Sequence, residues 1–144
     1  MTPRSPHPAT ATIVDDWARA WNGTDPRALG AQFTADGDYV DEAVGISFHG
    51  REEIAGWKAR ADSMIDAVHV TVRATHHDGA RITVEAVYSG HLKGAPNPFA
   101  VPMTTTLDLD DQHRLIATDH DHYSLADVLA QSGLPADWTP PGPA

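Results

Sequence analysis

The spacing of apolar residues changes period once along this chain, near residue 65, and divides it into a helical half and an extended half. After Thr12, residues Ile13, Trp17, Ala20 and Trp21 recur at helical spacing. Thr12 can serve as N-cap with Asp15 in the first turn, and Asn22-Gly23 stops the run. A second, short helix is expected in "DPRALGAQF", with Asp25 as N-cap, Pro26 at the first helical position, and Leu29 and Phe33 four apart on one face. A brief extended piece over residues 39–44 precedes "FHGREEIAGWKARADSMI". There Ile54, Trp57, Ala61 and Met64 or Ile65 mark a third helix that starts near Arg51.

From there the period is two. Four strands are expected, over residues 67–75, 80–91, 100–109 and 114–123, with a tight turn at Asp78-Gly79 and a second hairpin through "DDQH". They form an antiparallel meander. Ser124 caps a last helix over residues 125–131, and Gly133-Leu134-Pro135 ends it. Helices followed by a long antiparallel sheet give an α+β fold, a curved sheet wrapped around N-terminal helices with a pocket between them. One domain is expected over residues 11–135, with flexible tails at 1–10 and 136–144.

Alternation also says which side chains face the helices. Val68, Val70 and Val72 share a face, as do Ile82, Val84, Ala86 and Tyr88, and likewise Val101, Met103, Thr105, Leu107 and Leu109. On the last strand Leu115 and Ala117 set the apolar parity. Continuing it turns Asp119, Asp121 and Tyr123 inward and His120 and His122 outward. A carboxylate on an apolar face must be hydrogen-bonded, neutral or wet, and burial lifts its pKa toward the range useful for proton transfer. Asp121 is therefore the first candidate acid/base. The alternative is that Asp119 and Asp121 sit at the sheet rim in solvent, and a bulge would exchange the faces. In "DGDYVDEAVG" the same test puts Tyr39 and Asp41 on one parity and Val40, Glu42 and Val44 on the other, so one acid of the pair points inward.

Charge and composition narrow the chemistry. Ten basic residues against twenty acidic ones leave a net charge of −10, with Arg and Lys scattered singly, which repels a phosphate backbone and argues against nucleic acid. With no cysteine, thiol nucleophiles and thiolate metal sites are excluded. Nine His include "HH" at 76–77 and "HDH" at 120–122, but no third convergent ligand is visible in the spacing, so no metal and no cofactor is expected. His69 and His91 stand on the outward parity, His91 beside Gly90 where a bulge could bring it to the site. No run approaches the ~20 apolar residues of a membrane span, and no signal-peptide core is present, so a cytoplasmic protein without membrane contact is expected.

"WARAWNGTDPRALGAQFTADGDYVDEAVGISFHGREEIAGW" resembles the opening of nuclear-transport-factor-2-like proteins, and "DHYSLADVLAQSGLP" is similar to the close of their SnoaL-like branch of polyketide cyclases and isomerase-like proteins. The resemblance spans about residues 13–135. It implies a cone-shaped α+β barrel with an apolar cavity, paired as a homodimer through the outer sheet face. It matches Asp121 to the acid/base of SnoaL-like cyclases. The general base of ketosteroid isomerases matches Asp41 by counting from Phe33 and Glu42 by strand parity, and the motif favours Asp41. Two positions depart from the isomerases: Trp17 replaces the oxyanion tyrosine, and Thr105 replaces its protonated aspartate partner. The arginine of limonene-type epoxide hydrolases could only be Arg73 or Arg114, both on the wrong parity.

The reading is a cofactor-independent acid/base enzyme for cyclisation, isomerisation or dehydration of a small apolar, polyketide-like or terpenoid-like substrate. Asp121, Asp41 and Glu42 are its candidate catalytic residues. Trp17, Phe33, Tyr39 and Trp57 from the helical half, and Tyr88, His91, Met103 and Asp119 from the sheet, are expected to bind the substrate. The alternatives are a non-catalytic ligand- or partner-binding module of the same fold, and epoxide opening by water.

Overall fold

The computed structural model describes residues 8–140. Four helices and six strands follow in the order α1 (Pro8–Asn22), α2 (Pro26–Gly30), β1 (Phe33–Asp41), β2 (Ile46–His49), α3 (Arg51–Met64), β3 (Ile65–Asp78), β4 (Arg81–Leu92), β5 (Phe99–Leu109), β6 (Ile116–Tyr123) and α4 (Leu125–Ser132). No helix among the described residues is long and apolar enough to cross a membrane.

Local signals set several boundaries. The Asp25 side chain accepts from Arg27 N–H and opens α2 with Pro26 in its first turn. Ser124 accepts from Asp127 N–H to open α4, and Gly133, at φ 79°, closes it in the left-handed region. Helix α1 starts at Pro8, four residues before the expected cap at Thr12, so the end of the expected N-terminal tail is helical; residues 1–7 and 141–144 of the expected tails lie outside the described residues. Phe33 is not helical but opens β1. Helix α2 ends at Gly30, which is pressed against α3, where a Cβ would lie 2.7 Å from the Arg51 carbonyl oxygen.

The sheet is open and curved, six strands in the order β2-β1-β6-β5-β4-β3. Strands β3 to β6 form the expected antiparallel meander. The piece expected over 39–44 is instead two paired strands, and β1 lies parallel to β6. That pairing makes β6 a central strand, with β5 on one side and β1 on the other. Central placement, rather than a rim, is why Asp119 and Asp121 are 0% and 4% exposed.

The parity argument for β6 needs a correction. Ile116 is fully buried, whereas Leu115 and Ala117 are only partly so. A bulge between the pairs Asp108–Thr118 and Leu109–Ile116 shifts the strand by one residue. Beyond it Asp119 and Asp121 face inward, while His122 faces solvent.

The core fills the space between the inner sheet face and the helices. Trp17, Leu29 and Ile54 from the helices meet Phe33, Tyr39, Ile82, Val84, Val101, Leu107 and Ile116 from the sheet, all essentially without exposure. Lys58 is also fully buried. Its ammonium donates to Gly23 O and both Asp62 oxygens, and lies 5.5 Å from the Trp21 ring centroid. After α4, Trp138 returns to pack against this core.

Candidate functional site

The pairing of β1 with β6 creates the site. Tyr39 stands beside Asp119, and Asp41 stands beside Asp121, in parallel register on adjacent strands. Side chains on neighbouring strands at one level point to the same face, so all four converge inside the sheet. The two tyrosines then bond diagonally. Tyr39 on β1 donates its hydroxyl to Asp121 on β6, and Tyr123 on β6 donates to Asp41 on β1 at 2.8 Å.

Each carboxyl is supplied with further donors. Asp121 also accepts from Thr105 Oγ1 at 2.6 Å, across the β5–β6 pair. Asp41 accepts from Val44 N–H at 2.9 Å. Asp119 accepts from the indole N–H of Trp17 at 2.9 Å, a contact between residues 102 apart in sequence.

Burial dominates the electrostatics. It raises the pKa of Asp41 against the lowering effect of Val44 N–H and Tyr123. It pushes Asp119 well above the usual carboxylate range, and the nearby charge of Asp121 pushes it further. Asp121 is also raised by burial, but hydrogen bonds from Asp119, Thr105 and Tyr39 hold it back. Asp119 Oδ1 has no partner when the group is ionised, yet Asp119 and Asp121 are within hydrogen-bonding reach. A proton on Asp119 resolves this: the neutral acid donates to Asp121, and Trp17 holds its other oxygen. A proton held on Asp119 would thus leave Asp121 as the carboxylate of the pair, the one to which Tyr39 and Thr105 donate.

Asp41 and Asp121 open into a pocket whose walls are Trp21, Trp57, Tyr39, Tyr88 and Tyr123, with Ala61, Val70 and Met103. Its cavity volume is about 20 Å³, narrow between these walls. A second, apolar cavity of about 110 Å³ shares Trp57, Ala61, Tyr88 and Tyr123 with it and continues outward along Met64, Ile65, Leu92, Phe99, Leu129 and Trp138. The site is thus an inner chamber floored by two acids and an outer chamber with almost no polar wall.

Of the residues expected at the site, Tyr39, Asp41, Trp57, Tyr88, Met103 and Asp121 line the inner chamber. Trp17, Phe33 and Asp119 are fully buried behind it, Phe33 with its ring 6.0 Å from that of Tyr39. Glu42 points outward, exposed, and pairs with His120 at 3.1 Å; the register that turns Asp41 in turns its neighbour out. His91 lies outside the chambers, its Nε2 bonded to the Ala95 carbonyl at 2.8 Å by the loop after β4. Arg73 and Arg114 are exposed. Among the described residues no three His, Asp or Glu side chains are arranged to hold a metal ion. Sequence reasoning missed Trp21 and Tyr123 as pocket walls. Both were visible, Trp21 on the stripe of the first helix and Tyr123 on the inward parity of the last strand.

The profile of the SnoaL-like domain matches residues 14–117, ending two residues before Asp119. No protein of curated function matches the chain. Among solved structures, a protein of ketosteroid isomerase-like fold from Catenulispora acidiphila DSM 44928, in complex with trimethylamine, is 59% identical. The match covers 89% of this chain and 97% of that one, with a TM-score of 0.86. A protein classed as a SnoaL-like polyketide cyclase from Jannaschia sp. CCS1 is 16% identical over 94% and 99% of the two chains, with a TM-score of 0.78. An epoxide hydrolase of M. tuberculosis resembling the limonene type is 16% identical over 85% and 88%, with a TM-score of 0.71. The helix order, the sheet and the matched stretch agree: this chain belongs to the SnoaL-like domain family, within the nuclear-transport-factor-2-like fold.

Proposed function

We propose that the inner chamber is the active site of a cofactor-independent acid/base enzyme acting on an apolar carbonyl compound, by ring closure, double-bond shift or dehydration. The observation that carries this reading is the placement of Asp41 and Asp121 side by side on one buried sheet face, each held by a tyrosine hydroxyl. Burial raises both carboxyls toward the pH at which they can take and return protons. Asp121, kept ionised by the hydrogen bonds it accepts, removes a proton from the carbon next to the carbonyl; the electron pair moves toward the oxygen, and Asp41 returns a proton elsewhere on the skeleton. The outer chamber takes the apolar body of the substrate. The test is solvent deuterium incorporation beside the carbonyl of a fused-ring ketone, β-tetralone. The wild type is expected to catalyse it, and a wild type no faster than buffer would contradict the reading.

A second reading is favoured by the trimethylamine complex of the Catenulispora relative. On this second reading the inner chamber of this chain binds a small alkylammonium ion. Two carboxyls and five aromatic rings line it, and no Lys, Arg or His is among the lining residues. A cation over an aromatic face gains about 0.5–2 kcal/mol. Calorimetry should then show choline binding more tightly than its neutral isostere 3,3-dimethylbutanol, with the difference reduced in Asp41→Asn; equal affinity for the two would remove this reading.

A further inference from the structure

The inner chamber contains three tyrosine hydroxyls, and two of them are committed. Tyr39 donates to Asp121 and Tyr123 donates to Asp41. The hydroxyl of Tyr88 has no hydrogen-bond partner among the described residues, although it lies close enough to both carboxyls to feel Asp41 and then Asp121. Its ring is fixed edge-on between Phe99 at 5.0 Å and Tyr123 at 5.1 Å, so the side chain is held in place from both sides. Tyr88 lines both chambers and stands where the apolar cavity meets the acids.

We infer that the Tyr88 hydroxyl is the donor that holds the substrate's carbonyl oxygen, so that the cavity takes an apolar ketone with its carbonyl end inward. The inference rests on the acid/base reading of the same chamber and adds the group that reading lacks. When a carboxylate removes the proton next to a carbonyl, the C–H electron pair becomes the new C=C bond and the C=O electrons move onto oxygen. A donor already aimed at that oxygen stabilises the charge without transferring its own proton. Tyr88 is suited to this. Burial first, and then the two aspartates, raise its pKa, so the hydroxyl keeps its proton to donate. Tyr39 and Tyr123 cannot serve without abandoning an aspartate, and Trp17, the counterpart of the isomerase tyrosine, donates to Asp119 behind the chamber.

Tyr88→Phe removes one oxygen and keeps the ring packing. With β-tetralone as probe, deuterium incorporation should fall about 10²–10³-fold, the loss typical of one such donor, while Asp121→Asn removes it through the base. Difference infrared spectroscopy of the bound ketone separates the two ideas. The carbonyl stretch should lie at lower frequency in wild type and in Asp121→Asn, and return toward its value in apolar solvent in Tyr88→Phe. A shifted stretch that depends on Tyr88, with no exchange in the wild type, would keep this donor and remove the acid/base reading. A stretch unchanged by Tyr88→Phe, exchange undiminished by it, or no binding of the ketone to the wild type would each overturn the inference.

Discussion

Asp121→Asn is expected to slow deuterium incorporation into the ketone by about 10²–10⁴-fold, the range contributed by one positioned acid/base group. The substitution conserves shape and leaves the chamber walls in place, so the loss is chemical. Asp121 is the carboxyl toward which both Tyr39 and Thr105 donate, which favours it as the member that carries the negative charge. Asp119→Asn should behave oppositely and retain exchange. A neutral amide reproduces a protonated acid here, its NH₂ donating to Asp121 and its oxygen accepting from Trp17. Comparable losses in the two variants, or retained exchange in Asp121→Asn, would refute this division of labour.

Trp17→Ala is expected to cost the most stability. The indole is fully buried in the core, and truncating such a side chain costs about 3–5 kcal/mol. The same change strips the indole N–H from Asp119, a buried group whose unpaired oxygen costs about 1–3 kcal/mol more. Against the roughly 5–15 kcal/mol by which a domain is folded, the expected fall in Tm is roughly 10 °C or more. Trp17→Phe separates the parts, because it keeps most of the apolar volume and deletes the N–H; it should cost about 1–3 kcal/mol. A Tm for Trp17→Ala equal to that of the wild type would show that neither the packing nor the bond matters.

Local features were legible in the sequence because their causes are local. The caps Asp25 and Ser124, the turn at Asp78-Gly79 and the helix start at Arg51 each depend on a few neighbouring residues. The inward direction of Asp119 and Asp121 also followed from alternation, although the bulge near residue 117 means that Leu115 and Ala117 were a poor guide to it. Non-local facts were not legible. The parallel pairing of β1 with β6 joins segments some eighty residues apart, and nothing in "TADGDYVDEAVG" announces it or the short strand β2. The choice between Asp41 and Glu42 depended on that register. So did the diagonal bonds from Tyr39 and Tyr123, which turn separate acids into one connected array.

That array makes a direct demand on the aspartates themselves. Carbon-detected NMR titration of the side-chain carboxyls, assigned with Asp41→Asn, Asp119→Asn and Asp121→Asn, should find all three titrating above a free aspartate. Asp119 should be the highest of them, and its signal should move when Asp121 is replaced. If the three carboxyls titrate at or below the free value, they are ionised in water rather than buried and proton-sharing, and the acid/base account of this chamber fails.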